Sequence, residues 1–423
     1  MLRGVLLAVF LLATPCAVMA QATPTPAPAA ASPAASPAAS PSPTATPVPP
    51  WTFSGFDDVT YTSPLSSGGT FLFVNGAPAR VFDGITGNNT KSPQMTRFVP
   101  NNFNFNLKKN TTQGIGGNLE ISIGSDANVI ASYGGAAGTY TDVTQAYLYY
   151  AGGPFTFDIG KFETLAGYEV IEAPGNNQIS RSILFGYAIP FTHTGIRLVY
   201  APSSKISLTG GVNYGWDQIL STNNNKTIEA AIAFTPSSTI AFNANYYSGK
   251  EPSVLTPFPP VAGVGGTIYG TRSLLDLVLK WTPNSTWQIG GNLDTAQQSN
   301  TQRFDSAGNI IFVPGSTLTP ALGTASWNGV AGYAVWNANS HYTLSGRLES
   351  FKDTQGNRTG IAQTWNEGSI TLQYTPNVTN WKLRGEYRSD WSNQSVFARY
   401  TTPFGTSSKN NSSIGLEAVY TWP

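Results

Sequence analysis

The sequence is short of charge: Asp, Glu, Lys and Arg make up 11% of its 423 residues, against roughly a quarter in soluble globular domains. A charged, water-facing surface is therefore excluded as the device that keeps this chain in place. Long apolar runs are missing as well. Beyond residue 20 no stretch reaches the roughly 18 apolar residues that a membrane-crossing helix needs, and mean hydropathy is only -0.12, so a helical transporter is excluded too. The single cysteine, Cys16, lies near the N-terminus, which leaves the rest of the chain without a disulfide framework or a cysteine metal site. Net charge is also missing: 23 Lys and Arg face 22 Asp and Glu, and Arg3 accounts for the excess. Nucleic-acid binders carry a basic excess or stripe, so that class of partner is excluded.

What the chain has instead is glycine, 43 residues, and aromatic rings, 12%. Its first 50 residues stand apart. Met1, Leu2 and Arg3 precede an apolar run from Val5 to Leu12, and Val18-Met19-Ala20 ends on a small residue. This is the form of a secretory signal peptide over residues 1–20, cleaved before Gln21; Pro15 directly before Cys16 argues against lipid attachment. Residues 22–50 are Ala, Pro, Ser, Thr and Val only, and eleven of the 30 prolines precede Trp51. Such a composition cannot bury a core and predicts an extended linker over 21–50. It reads either as a tether that contacts the cell wall or as a disordered tail.

From Trp51 onward the pattern has period two, as in strands with one apolar and one polar face. Ile206, Leu208, Val212 and Tyr214 alternate with Lys205, Ser207, Thr209 and Asn213. Trp381, Leu383, Gly385 and Tyr387 alternate with Lys382, Arg384, Glu386 and Arg388. Four charges on one strand face exclude the dry core of a sandwich. A turn motif recurs in Tyr200-Ala201-Pro202-Ser203, Phe234-Thr235-Pro236-Ser237, Trp281-Thr282-Pro283-Asn284 and Tyr374-Thr375-Pro376-Asn377. Proline suits a tight reversal and is excluded from a paired strand interior. The opposite connections are longer and polar, as in Ser248 to Thr271 and Thr295 to Ser326. Short turns at one end, long loops at the other and aromatic residues near both strand ends predict an all-β transmembrane antiparallel barrel over 51–423. Its outward rows face lipid, and closure leaves no unpaired strand edge.

The alternation places strands near 51–61, 102–109, 114–123, 142–151, 154–162, 191–201, 204–214, 227–235, 238–248, 272–282, 285–294, 327–338, 340–350, 366–375, 379–390 and 411–422. That is about 16 strands with both ends in the periplasm. The first four are the weakest, so twelve or fourteen stay open, and 62–101 is long enough to hold a further hairpin.

Phe157-Asp158-Ile159-Gly160-Lys161-Phe162-Glu163, Gly167-Tyr168-Glu169, Ser180-Arg181-Ser182-Ile183-Leu184-Phe185 and Pro190-Phe191-Thr192-His193-Thr194-Gly195, with Tyr214-Gly215-Trp216-Asp217 after them, resemble the OmpL-like beta-barrel porin-2 family. The resemblance implies an outer-membrane pore for small solutes and names no substrate. One departure is Pro423 after Leu416, Ala418, Tyr420 and Trp422, where such barrels end on an aromatic residue.

The connection from Glu163 to Pro190 carries Ile171, Ile183, Leu184 and Phe185, more apolar side chains than a solvated loop needs. Folded inward, it would narrow the lumen, with Lys161, Glu163 and His193 near the constriction and Glu169 and Glu172 facing Arg181 and Arg197 across it. Folded on itself, it would be a surface loop at the rim. Parity assigns Lys205, Glu229, Asp276, Lys280, Asp294, Arg347, Glu349, Lys382, Arg384, Glu386, Arg388 and Glu417 to the wall of a water-filled channel, and Lys382, Arg384 and Arg388 are its candidates for weak anion preference. Sixteen strands usually leave an aqueous lumen; a narrow lumen in which these charges pair off is the other reading.

No cofactor, metal site or catalytic group is expected. The only histidines, His193 and His341, lie far apart, and a Ser or Thr nucleophile beside His193 is the one hydrolase reading on offer. Gly263-Val264-Gly265-Gly266 is a flexible turn, since no phosphate-binding helix follows it. The expected function is passive diffusion of small hydrophilic solutes or ions through a barrel set in outer-membrane lipid and lipopolysaccharide, with a homotrimer as the assembly that analogy suggests. The alternative is a non-conducting barrel serving as anchor or adhesin.

Overall fold

The computed structural model describes residues 50–65, 70–71, 82, 97–135, 138–221, 223–253, 269–302, 314, 321–377, 380–398 and 407–422. The expected signal peptide, the linker but for Pro50, and the 263–266 turn lie outside these residues. Sixteen strands form the barrel: β1 (Trp51–Pro64), β2 (Arg97–Lys109), β3 (Gly114–Ile123), β4 (Thr141–Gly152), β5 (Phe155–Glu163), β6 (Thr192–Ser203), β7 (Ile206–Asn213), β8 (Thr227–Ser237), β9 (Ile240–Pro252), β10 (Tyr269–Trp281), β11 (Trp287–Gln302), β12 (Leu322–Asn337), β13 (Tyr342–Asp353), β14 (Gln363–Tyr374), β15 (Trp381–Ser392) and β16 (Asn410–Trp422). Each pairs antiparallel with its chain neighbours, and β1 pairs with β16 from Gly55↔Trp422 to Pro64↔Ser413, which closes the sheet. Closure thus leaves the barrel without an unpaired strand edge, as hydrocarbon requires.

All sixteen strands fall where alternation puts them, and several run further. β11 extends to Gln302 instead of stopping near 294, and β12 starts at Leu322 instead of near 327. The outward row there is Thr295, Gln297 and Ser299 facing Thr324, Ser326 and Asn328. The ladder continues past the apolar band, where an outward face no longer has to be hydrophobic, so alternation fades before hydrogen bonding does. Within 62–101 the described Thr70–Phe71 pairs with Phe397–Ala398, which in turn pairs with Ser407–Ser408, at the long-loop end; the remaining expectation of a hairpin falls mostly on residues outside those described. A helix, α1 (Ser125–Ile130), sits in the β3–β4 connection.

The outward rows are bare: Leu148 is 60% exposed, Leu348 69% and Leu416 58%. Ring pairs mark the ends of the apolar band, Phe53 with Trp422 at 5.1 Å on the tight-turn side and Tyr61 with Phe98 at 5.0 Å on the loop side. Inside lies a cluster that a channel wall does not need: Tyr247, Leu274, Val278, Trp327, Tyr333, Phe351 and Trp365 from β9 to β14 pack on Tyr168, Ile171, Ile183, Leu184, Phe185 and Tyr187 of the β5–β6 connection. That connection enters the barrel and covers its β9–β14 wall.

Leu148→Arg puts a cation on the lipid-facing row and is expected to cost about 2–4 kcal/mol. Denaturant titration of the refolded barrel in lipid vesicles reads this, with the inward Thr209→Arg near neutral by comparison.

Candidate functional site

The β5–β6 connection, residues 164–191, is long irregular backbone in a membrane-depth cavity, so its N–H and C=O groups need partners. The wall supplies them. Asp276 of β10 accepts from the Gly167 N–H at 3.1 Å, and Asn292 of β11 accepts from Tyr168 N–H at 3.3 Å. Glu349 of β13 accepts from Ile183 and Leu184 N–H at 2.6 and 3.1 Å. Glu386 of β15 accepts from the N–H groups of Ile179 and Ser180 and from the Ser180 hydroxyl, at 2.7, 3.2 and 2.6 Å. The cations take the carbonyls: Arg384 donates to Ala173 and Asn176, Lys382 to Pro174, and Arg388 to Arg181. Trp327 donates its indole N–H to Ala188 at 3.0 Å.

Beneath the loop the same charges are paired with one another. Arg347 contacts Glu169 at 2.6 Å and Glu367 at 2.9 Å, with Glu349 at 3.8 Å. Arg384 holds Glu417 at 2.8 Å, and Arg388 holds Asp390 at 2.7 Å. Tyr168 stacks on Tyr333 with centroids 4.0 Å apart and accepts from Gln288 at 2.7 Å. Gly290 makes room for this ring, since a Cβ there would stand 2.2 Å from it. At the far end of the loop, Asp217 accepts from the Phe191 and Thr192 N–H groups at 2.8 and 2.9 Å. Burial pushes its carboxyl above the usual range, against those N–H bonds and the nearby Arg358. Arg358 lies over Trp216 and Trp327 and donates to the Tyr187 carbonyl; burial first and the Arg272 charge second lower it to about 10.

These contacts correct several expectations. Glu169 does not face Arg181 across a gap: it pairs with Arg347, and Arg181 is spent on the carbonyls of Val170, Ile171 and Ile179. Arg197 pairs with Glu229 at 2.8 Å and lies 4.0 Å above the Phe162 ring. Asp276, Asp294, Arg347, Glu349, Arg384, Glu386, Arg388 and Glu417 are inward but buried, so on this wall they line a packed interior instead of water, and Glu229 of β8 is buried as well. Lys205 is exposed in the tight turn between β6 and β7 and belongs to no wall, because the turn removes it from the strand's parity. Lys382, Arg384 and Arg388 are neutralised or bonded and form no free basic patch. Lys280 lies 4.9 Å from the Tyr168 ring, and Lys161 pairs with Asp142 at 3.0 Å. His193 is fully buried, stacked 4.8 Å from Tyr247, with Nδ1 3.1 Å from the Gly215 carbonyl. His341 contacts the Thr375 carbonyl at the opposite end of the barrel.

The other wall, β2 to β8, differs. Here Asn106, Lys108, Gln145, Tyr147, Asp158 and Thr209 are half-buried on inward rows. Between this wall and the loop stand Glu120 of β3, Glu163 at the end of β5 and Glu172 of the loop, whose carboxylates come within 4.8 Å of one another. Glu120 accepts from Asn104, Asn106 and Gln145 at 2.7, 3.3 and 2.6 Å. Sequence reasoning names Glu163 and Glu172 and misses Glu120 and Asp158. The signal was there, because Asn118, Glu120 and Ser122 alternate with Leu119, Ile121 and Ile123.

A barrel of sixteen antiparallel strands with a loop folded into its lumen is the architecture of a pore, and the sequence agrees: a family model described as "Putative beta-barrel porin-2, OmpL-like" matches residues 75–422. The chain belongs to this family. It is an outer-membrane porin, a passive channel for small hydrophilic solutes or ions. Among curated proteins the porin has no sequence match. Solved structures share its fold: OmpT of Vibrio cholerae in its trimer form (11% identity, TM-score 0.53, covering 88% of this chain and 99% of that one), an anion-selective porin from Comamonas acidovorans (9%, 0.56, 88% and 99%) and OprB of Pseudomonas putida (9%, 0.54, 88% and 94%).

Arg347→Met leaves Glu169, Glu349 and Glu367 buried without their cation. The porin is expected to lose about 3–5 kcal/mol, as for other buried pairs deprived of one partner. Proteolysis within 164–191 in folded, detergent-solubilised protein should rise with it.

Proposed function

We propose that solutes cross this porin between the outer side of the 164–191 loop and the wall of β2 to β8, by diffusion alone. The observation that carries this reading is a difference between the two walls: the large inward side chains of β9–β14 pack on the loop, whereas toward the tight-turn end β2–β8 carry the half-buried polar side chains Asn106, Lys108, Tyr147, Asp158 and Thr209. No covalent step is needed, and His193, stacked on Tyr247, serves packing. Residues 1–20 act as a signal peptide removed on export, and 21–50 as a periplasmic spacer within reach of the cell wall.

Cysteine modification tests the route, because Cys16 is the chain's single cysteine and its replacement gives a clean background. In planar bilayers wild type should show discrete current steps. A cationic thiol reagent should reduce the current through Thr209→Cys, on the open wall, and leave Ser345→Cys, whose hydroxyl bonds the loop carbonyl of Asn177, unmodified. A folded barrel with no current would favour the non-conducting anchor instead.

A homotrimer is part of this proposal, and one residue supports it. Asp57 lies on the outward row of β1, opposite Tyr420 and Phe103 and midway between the Phe53 and Tyr61 ring pairs. It makes no hydrogen bond or ion pair among the described residues. An acid against hydrocarbon is costly, and such residues mark functional contacts in membranes. A neighbouring copy seated on β1 would shelter it. Asp57→Arg should shift the assembled species toward monomer on seminative gels while the monomer stays folded; unchanged assembly would count against this face.

A further inference from the structure

The charges along the proposed passage do not balance, and we infer that it selects for cations, with Glu120, Glu163 and Glu172 as the specificity-determining residues. This rests on the passage running along β2 to β8. The acids on it are Glu120 on β3, Asp158 and Glu163 on β5, and Glu172 on the loop. Facing them are Lys108 on β2 and Arg197 on β6. Arg197 is cancelled by Glu229 of β8 at 2.8 Å, and Lys161 by Asp142 at 3.0 Å.

The remaining lumen cations stand on the other side of the loop; among them Lys280 of β10 lies 4.9 Å from the Tyr168 ring and has no carboxylate partner among the described residues. Arg347, Arg384 and Arg388 are each within 3 Å of a carboxylate, and Lys382 is bonded to the Pro174 carbonyl. Arg181 is buried behind Val170 and Ile171, whose carbonyls it holds. The loop therefore separates a wall whose arginines are paired with acids from the one that faces the carboxylate cluster. Neutral amide donors from Asn104, Asn106 and Gln145 orient the Glu120 carboxylate without supplying a counter-charge. Glu163 keeps Oε1 buried with no hydrogen-bond partner. Three carboxylates within 4.8 Å on a narrow, low-dielectric wall concentrate mobile cations and repel anions.

The geometry also assigns weights. Glu172 is the member carried by the loop and half-buried, and its carboxylate meets the wall at Glu120 and Glu163, so its replacement acts within the cluster. Glu120 is tied into the β2–β4 amide network, and its loss would move that network as well as the charge.

The experiment is the reversal potential of the full-length, export-processed porin in a planar bilayer under a KCl gradient. Wild type should favour K⁺ over Cl⁻. Glu172→Gln and Glu163→Gln should each lower the permeability ratio about two- to threefold with current steps retained, and Glu172→Lys should lower it further, as expected where a few wall charges set the local ion concentration. An unselective or anion-favouring wild type, or a ratio unmoved by all three substitutions, overturns the assignment while leaving the pore intact. Failure of the passage itself has a different mark: current steps that persist while reagent at Thr209→Cys leaves them untouched. Should Glu163→Gln fail to fold, the two Glu172 variants still decide the matter.

Discussion

Irregular backbone cannot sit at membrane depth unless something bonds its N–H and C=O groups, and in this porin that constraint governs the lumen. The wall answers it with charge of both signs, acids where the loop turns N–H groups outward and guanidiniums where it turns carbonyls. Glu349 and Glu386 receive N–H groups of Ile183, Leu184, Ile179 and Ser180. Arg384 and Arg388 cap the carbonyls of Ala173, Asn176 and Arg181. Arg347 then ties the two sets together, bonding Glu169 of the loop and Glu367 of the wall, and the Ser180 carbonyl besides. These groups are desolvated, so each carries a large penalty that only its partners offset. The arrangement holds as a unit or not at all, which gives the loop one position.

The division of the lumen follows from which strands carry large inward side chains. From β9 to β14 the inward rows hold Tyr247, Leu274, Val278, Trp327, Tyr333, Phe351 and Trp365, and burying them requires an apolar partner. The loop brings Ile171, Ile183, Leu184 and Phe185 to that side. On β7 and β8 the inward rows hold Ser207, Thr209, Gly211, Ala231 and Ala233, which offer the loop little area and no ring. The loop docks where area is gained and leaves the small-residue wall uncovered.

Much of this was legible in the sequence. The row Trp381, Leu383, Gly385 and Tyr387 against Lys382, Arg384, Glu386 and Arg388 fixes which face meets lipid, because a one-residue slip would put four charges into hydrocarbon. The proline turns fix which end is tight, and the hydrophobicity of Ile183, Leu184 and Phe185 betrays a loop that does not belong in solvent. Partners were not legible. Parity puts Arg347 inside and an inward loop would bring Glu169 there, yet the two are 178 residues apart, and nothing local states the depth or direction at which the loop crosses the wall. Lys205 shows the same limit at small scale, since alternation holds only while the chain stays in a ladder. Asp57 is the reverse case: its outward place follows from the pairing of β1 with β16 and β2, while the sequence around it carries an acid on each face, Asp57 and Asp58.

That pair of neighbours shows how one pattern serves three solvents. Asp58 points inward, where Asn101 donates to it at 3.2 Å in a buried polar network with Thr60 and Ser125. Asp57, one residue earlier, makes no hydrogen bond or ion pair among the described residues. On the far side of the lumen, Glu120 is bonded by three amides yet keeps a carboxylate beside Glu163 and Glu172. Three acids on the same barrel thus meet packed protein, the bilayer face and the proposed passage. Their carboxylates are alike and their surroundings differ: Asp58 accepts the Asn101 amide at Oδ2 and keeps Oδ1 buried without a hydrogen-bond partner, Asp57 has no hydrogen bond or ion pair among the described residues, and Glu120 holds three amides and no cation. In a closed sheet with a period of two, the side on which a carboxylate falls, and the height at which the loop passes it, decide between the three.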